Sequence, residues 1–145
     1  MTESKNKLKK TKDFEPDILV FCCNWCSYAG ADLAGVSRFQ YPPNIRVIRV
    51  MCSGRIDPSF VLKALKDGAD GVLISGCHIG DCHYISGNEY ALERFEKMHK
   101  FLIKQLGIND NRVRLEWVSA SEGKRFSELI TEFTNQIKKL EPLKN

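Results

Sequence analysis

The sequence predicts a single α/β domain of doubly wound, flavodoxin-like type, with a mainly parallel four-stranded sheet covered by helices on both faces. Three observations carry that expectation. Apolar runs of strand length alternate with stretches of helical periodicity in the order β-α-β-α-β-α-β-α, the alternation that builds parallel sheets through helical crossovers. The first apolar run is continuous, as a strand buried on both faces reads. No repeat or internal linker interrupts the series, and 145 residues with 43% hydrophobic content suffice for one core.

Each element has its own signal. Glu15-Pro16 closes a polar leader, and the run from Asp17 to Cys23 is the first strand. Cys26 to Phe39 has Ala and Leu at helical spacing with Gly30 and Gly35 inside, which suggests close helix packing, and Tyr41-Pro42-Pro43-Asn44 ends it. The β-branched run Ile45 to Met51 is the second strand. Asp57 as N-cap and Pro58 at the first helical position open a helix to Lys66, which Gly68 breaks. Gly71 to Ser75 is the third strand, ending at Gly76-Cys77. Beyond a loop rich in Cys, His and Gly, the apolar residues Ala91, Phe95, Met98, Leu102 and Leu106 mark one face of a helix stopped by Gly107. Arg112 to Val118 alternates Val113, Leu115 and Trp117 with charged residues, as an edge strand does. Ser119 to Glu122 fits a capping box before a last helix carrying Phe126, Leu129, Ile130, Phe133, Ile137 and Leu140.

Charge and hydropathy exclude several function classes. The net charge of +4 resides in residues 1–12, where five lysines face one glutamate, so the remainder is neutral. A nucleic-acid reader needs a basic stripe on its folded surface, and a neutral body does not supply one. Residues 1–15 are expected to be a disordered lysine-rich tail and 16–145 the folded domain. No apolar run approaches the roughly 20 residues of a membrane-spanning helix, and no apolar block follows the basic leader as a secretion signal requires. The expected location is the cytoplasm, with no membrane partner.

Six cysteines are the informative excess. In a reducing compartment they point to metal or redox chemistry rather than a disulfide framework. Cys22, Cys23 and Cys26 fall at the end of the first strand and the start of its helix, Cys52 follows the second strand, and Cys77 and Cys82 follow the third. In open α/β sheets the functional crevice lies at the carboxyl ends of the strands, so three loops distant in sequence converge on one edge. Three chemistries fit thiols there. Cys23-Asn24-Trp25-Cys26 alone reads as a thioredoxin-like motif, but that leaves Cys52, Cys77 and Cys82 without a role. Structural zinc usually takes paired short knuckles, and only one C-x-x-C is present. An iron–sulfur cluster takes four thiolates, accepts ligands from separate loops, and gains from backbone N–H groups, which Ser53-Gly54, Gly76 and Gly80 allow close to the cysteines.

Adjacent strand residues point to opposite faces, so Cys22 is set aside in favour of its neighbour Cys23. Which four of Cys23, Cys26, Cys52, Cys77 and Cys82 would bind is left open by spacing, and His78 or His83 could replace a cysteine in a Rieske-like arrangement. Other active-site readings are weaker. Gly30 and Gly35 have phosphate-loop spacing, but Val36 stands where the lysine belongs, and no G-x-G-x-x-G follows a strand. A nucleophilic Cys77 or Cys82 with His78 or His83 lacks any group that orients the base. Arg49 and Arg55 flank Cys52, and Trp25 and Tyr28 flank Cys26, where they could neutralise or shield a cluster.

Phe21-Cys22-Cys23-Asn24-Trp25-Cys26-Ser27-Tyr28-Ala29-Gly30-Ala31-Asp32, with Val50-Met51-Cys52-Ser53-Gly54-Arg55 and Gly76-Cys77-His78-x-Gly80-Asp81-Cys82-His83-Tyr84, closely resembles the delta, iron–sulfur subunit of methyl-viologen-reducing [NiFe] hydrogenase of methanogenic archaea. Tyr41-Pro42-Pro43-Asn44 and the segment Leu115 to Gly123 extend the resemblance over nearly everything after the tail. The resemblance implies a small carrier with a [2Fe–2S] cluster. It would link the hydrogenase small and large subunits to the flavin-containing subunit of heterodisulfide reductase, whose flavin bifurcates electrons toward ferredoxin and the heterodisulfide of methanogenesis. On that footing Cys23, Cys26, Cys52, Cys77 and Cys82 are the candidate ligands, and the chain is a relay without turnover of its own. The rivals are a zinc-stabilised bridging module without redox function and a thiol oxidoreductase using Cys23 and Cys26.

Overall fold

The computed structural model describes residues 14–143, so most of the lysine-rich tail lies outside the described residues. The first strand, β1 (Ile18–Cys23), runs through the middle of the sheet and is buried along nearly its whole length. Its neighbours are β2 (Ile45–Val50) on one side and β3 (Gly71–Gly76) on the other, and β4 (Val113–Trp117) lies beyond β3. All pairs are parallel and the order is β2-β1-β3-β4. The chain thus leaves β1 toward β2 and then returns past it to β3. That reversal is the switch point at which a doubly wound sheet opens a crevice at its carboxyl edge.

Side-chain parity divides the interior in two. Ile18, Val20 and Cys22 of β1, with Leu73 of β3, pack under α1 (Ser27–Val36) and α4 (Gly123–Lys138). Phe21, Val72 and Ile74 pack on the opposite face under α2 (Pro58–Lys66) and α3 (Gly87–Lys97). Two glycines bring α1 and α4 close: a Cβ on Gly30 would lie 2.7 Å from the Ser119 carbonyl oxygen, and one on Gly123 would lie 2.9 Å from the Ala34 nitrogen. α4 is amphipathic and buries Phe126, Leu129, Ile130, Phe133 and Ile137, each worth roughly 1.5–3 kcal/mol of transfer free energy. The Asp57 carboxylate accepts the Ser59 N–H at 2.8 Å, capping α2 as the sequence predicts.

The sheet is stapled at the end opposite the cysteines. Buried Arg112 donates to the carbonyl oxygens of Asp70, at 2.9 Å, and Glu141. The Asp70 carboxylate accepts backbone N–H groups from Asp17 at 2.9 Å and Leu143 at 3.1 Å. These two residues thereby tie the approaches to β1, β3 and β4 to the C-terminal segment.

Three expectations need correction. The periodicity placing Leu106 on the buried face of the third long helix fails, because α3 continues as a π-helical segment, Met98–Ile103. The wider turn rotates the face that follows: Ile103 is fully buried whereas Leu106 is 59% exposed. The capping box forms by half. Glu122 reaches back to the Ser119 N–H at 3.0 Å, but the Ser119 hydroxyl bonds to Ser121, and α4 starts only at Gly123. α1 ends at Val36 rather than Phe39, where Arg38 adopts φ 59° and turns the chain.

Candidate metal centre

Strand parity places the first cysteines. Cys22 points into the core beneath α1 and α4, where burial, with the charge of Cys23 adding, pushes its thiol up to about 12. Cys23 ends the strand facing the other way. Its Sγ lies 3.6 Å from Cys77 Sγ, just past β3, and 3.9 Å from the Met51 carbonyl oxygen, just past β2. One residue of β1 therefore touches both neighbouring strand ends. Cys26 is the N-cap of α1, and burial raises its thiol despite an opposing contact with Cys77.

Cys52 stands two residues beyond β2 and opens a 3₁₀ turn, Ser53–Arg55, in which the Gly54 N–H donates to Cys52 Sγ at 3.4 Å. Burial raises this thiol, and the Gly54 bond opposes the rise. The turn packs on the start of α3, to which Arg94 fastens it by donating to the Gly54 carbonyl oxygen. That contact brings Cys52 Sγ to 3.9 Å from Cys82 Sγ. Cys82 precedes α3. Partial burial acts against its thiolate, yet the backbone N–H groups of Asn88, Tyr84 and Gly87, with Cys52, hold its pKa below the ordinary thiol value. Cys77 shows the opposite balance: burial, then the Cys26 contact and the charge of Cys23, push it well above the usual range.

All five predicted cysteines thus gather at the carboxyl edge, and Cys22 lies apart in the core. Among the described residues no group of three or more His, Cys, Asp or Glu side chains is placed to hold a single ion. Instead Cys23 lies 3.6 Å from Cys77 and Cys52 lies 3.9 Å from Cys82, and Cys26 is also in contact with Cys77. A metal holding two thiolates tetrahedrally at about 2.3 Å separates their sulfurs by about 3.8 Å, close to the spacing within each pair.

The histidines are engaged elsewhere. His78 Nε2 bonds to the Glu122 carboxylate. The His83 ring stacks on Trp25 with centroids 3.8 Å apart, and Trp25 Nε1 donates to the Tyr84 hydroxyl at 3.2 Å. Trp25 thereby ties the turn at residues 23–26 to the loop that carries Cys82. Next to it Ile85, at φ +71°, is 85% exposed, an unusual backbone state for a β-branched residue. Arg49 lies over the Tyr28 ring, 5.2 Å from its centroid.

Three residues shape the site in ways the sequence did not suggest, Glu122 being read there only as a capping residue. Gly87 wedges between Cys52 and Cys82: a Cβ there would lie 2.1 Å from one sulfur and 3.3 Å from the other. Buried Asn88 donates from Nδ2 to the carbonyl oxygens of Cys77 at 3.0 Å and His78 at 2.8 Å, fixing the loop between the two cysteines. Glu122 ties that loop to the start of α4. Contacts of this kind leave little trace in sequence, although Gly87-Asn88 directly before a helical pattern is a signal of close approach. Of the glycines that the sequence did suggest, Gly54 donates to a sulfur and Gly76 packs against Ser53, where a Cβ would meet Oγ at 2.7 Å. Gly80 has a different task. With φ +93° it permits the turn closed by the Asp81 N–H to the His78 carbonyl oxygen at 2.9 Å.

Among the described residues no helix is long and apolar enough to cross a membrane. Comparison with known proteins gives a consistent result. The chain is 54% identical over 134 residues to an iron-sulfur subunit of the F420-non-reducing hydrogenase of Archaeoglobus profundus, covering 92% of this chain and 97% of that protein. It is 40% identical over 128 residues to the vhu iron-sulfur subunit of the F420-non-reducing hydrogenase of Methanocaldococcus jannaschii, covering 88% and 95%. It is also 55% identical over 128 residues to part of one subunit of the ferredoxin:CoB-CoM heterodisulfide reductase of Methanosarcina mazei, covering 88% of this chain but 16% of that protein. Residues 18–141, from the first residue of β1 to the segment past α4, match the family described as methyl-viologen-reducing hydrogenase, delta subunit, and the chain belongs to that family.

Proposed function

We propose that this chain is an electron-transfer subunit holding a [2Fe–2S] cluster, which relays electrons from a [NiFe] hydrogenase to the flavin-containing subunit of heterodisulfide reductase in a bifurcating complex of methanogenesis. The observation that carries the reading is the pairing of sulfurs from three strand ends, Cys23 with Cys77 and Cys52 with Cys82. Cys26 is the fifth thiol of the set, beside Cys77. The names of the relatives support an iron–sulfur group and partnership with hydrogenase. The match within a heterodisulfide reductase subunit supports the second partner, since there a similar unit is part of that longer chain.

When bound, such a cluster supplies one-electron transfer. The chain's own residues do the rest. The Gly54, Tyr84, Gly87 and Asn88 N–H groups direct positive dipole ends at Cys52 and Cys82, which favours negative charge on those sulfurs. Asn88 and the His78–Glu122 bond hold the Cys77–Cys82 loop in one geometry. Trp25, His83 and Tyr84 pack on one another and tie the turn at residues 23–26 to the residues that follow Cys82. A fixed position and a tuned field are what a relay needs, and no substrate pocket is required.

Iron and acid-labile sulfide per chain on anaerobically purified protein, with a visible spectrum and electron paramagnetic resonance after dithionite reduction, test the reading. The expected result is two irons and two sulfides with a signal on one-electron reduction. Stoichiometric zinc without colour would replace the relay by a structural bridge.

A further inference from the structure

The two edges of the sheet are managed differently. At β4 every strand residue is at least partly buried, and the edge is guarded by paired charges: Arg114 with Glu116 at 2.8 Å and Glu132 at 3.1 Å, and Arg125 with Glu116 at 3.2 Å. At β2 the four central residues, Arg46, Val47, Ile48 and Arg49, are all exposed, with Val47 at 38% and Ile48 at 42%. The helices on either face leave the middle of this strand open. An uncovered edge strand of six residues is a template for pairing with another chain.

The backbone register shows which groups are free. The Ile18 N–H bonds to the Asn44 carbonyl oxygen at 3.2 Å and the Asn24 N–H to that of Val50 at 2.7 Å. Successive residues of a strand direct their polar groups alternately to the two sides. Even-numbered residues of β2 therefore face β1, while the N–H and C=O groups of Val47 and Arg49 face outward and have no partner among the described residues.

The side chains select the occupant. Arg46 and Arg49 are three apart, so one arginine stands on each face of the strand, and neither has an acidic partner among the described residues. Pairing with a second copy about a two-fold axis centres on a single residue, and centring on Val47 or Ile48 sets the two copies of Arg46 or of Arg49 diagonally across the seam on one face, bringing like charges together. The lysine-rich segment 1–13 has the wrong sign as well. A partner strand with a carboxylate on each face and apolar residues between matches in charge and in pattern.

We propose that the open edge of β2 docks an extended, acidic segment of a partner protein, which joins the sheet as a further strand beside β2. The seated strand runs alongside the chain as it passes into Met51 and Cys52, so docking places the partner next to the cysteine edge. This role rests on the relay reading only for what the docking serves, because the binding itself needs no metal.

The test uses the full chain co-produced anaerobically with the hydrogenase subunits and with the flavin-containing subunit of heterodisulfide reductase. Val47→Pro removes an outward N–H and leaves the bonds to β1 intact, while Arg46→Glu reverses the selecting charge on a residue remote from the cysteines. Each is expected to weaken co-purification with one partner by about tenfold or more, with iron per chain and visible spectrum unchanged. In the wild-type complex, amide exchange at Val47 and Arg49 should slow by about tenfold or more, while Arg46 and Ile48, already bonded to β1, change little. Unimpaired assembly of both variants overturns the proposal, as does unchanged exchange at Val47 and Arg49 or a dimer of the isolated chain that Val47→Pro dissociates. A complex that assembles with the same variant sensitivities but carries no iron in this chain when purified anaerobically sustains the docking site and sinks the relay.

Discussion

Gly87 lies so close to Cys52 that a Cβ at that position would stand 2.1 Å from the sulfur. Backbone of α3 thereby occupies the space where any other residue would push the thiol away from Cys82. Gly87→Ala is expected to displace Cys52, and the purified variant should carry less than about half the iron and sulfide of the wild type. Its circular dichroism should be unchanged, because Gly87 begins a helix and alanine suits that conformation. Full iron content in the variant would show that the cradle is not required.

The pairing of sulfurs separates the five thiols. Cys52→Ser and Cys82→Ser remove both members of one pair in turn, and Cys23→Ser and Cys77→Ser those of the other. Each of the four should bleach the visible spectrum or shift the reduction potential. Cys26→Ser should retain iron and colour, and Cys22→Ser should alter only stability, since Cys22 packs in the core. Loss of iron in Cys26→Ser with retention in Cys77→Ser would reassign the ligands.

The Glu122 carboxyl titrates at about 2 rather than at 4.5, because His78 and then the Ser119 N–H favour its charged form. A carboxyl depressed by folding stabilises the native state above its ordinary value and loses that contribution as the pH falls through the folded one. Urea midpoints of the wild type should therefore decline between about pH 4.5 and pH 2 more steeply than those of Glu122→Gln. Glutamine is uncharged throughout, so the two curves should converge at the acid end. Parallel curves across that range would mean that the contact with His78 contributes nothing to folding.

Arg112 and Asp70 sit at the opposite end of the sheet from the cysteines, so stability and metal content should separate there. Arg112→Met leaves buried carbonyl oxygens without a donor and is expected to cost about 1–3 kcal/mol, read from the denaturant midpoint. Iron per chain and the visible spectrum should be those of the wild type. A parallel loss of iron would mean that strand order at the far end reaches the metal edge.

Much of this was legible in the residues because the relevant signals are local and periodic. The continuous run of β1, the Asp57-Pro58 start of α2 and the stepping of Phe126, Ile130, Phe133 and Ile137 each specify their element without outside help. The convergence of cysteines followed from a fold rule applied to strand ends. What escaped was tertiary. The π turn after Lys97 leaves no periodic mark of its own, so the burial of Ile103 in place of Leu106 could not be read. Likewise the spacing of five cysteines says nothing of which sulfurs touch, since Cys23 meets Cys77 through the β1–β3 register and Cys52 meets Cys82 through a turn packed on a helix. Gly87, Asn88 and Glu122 matter only through contacts that the fold creates.

Cys23 and Cys77 are 54 residues apart in the chain and meet only when β1 and β3 are aligned. Before that alignment the thiols are scattered along a flexible polymer, and closing so long a loop carries an entropic penalty that local structure cannot offset. The centre is therefore a late event on the folding path, and a ligand gripping both sulfurs binds the native state far better than the unfolded one. By mass action it then acts as a reversible cross-link between distant strands, raising resistance to heat and denaturant in proportion to its occupancy.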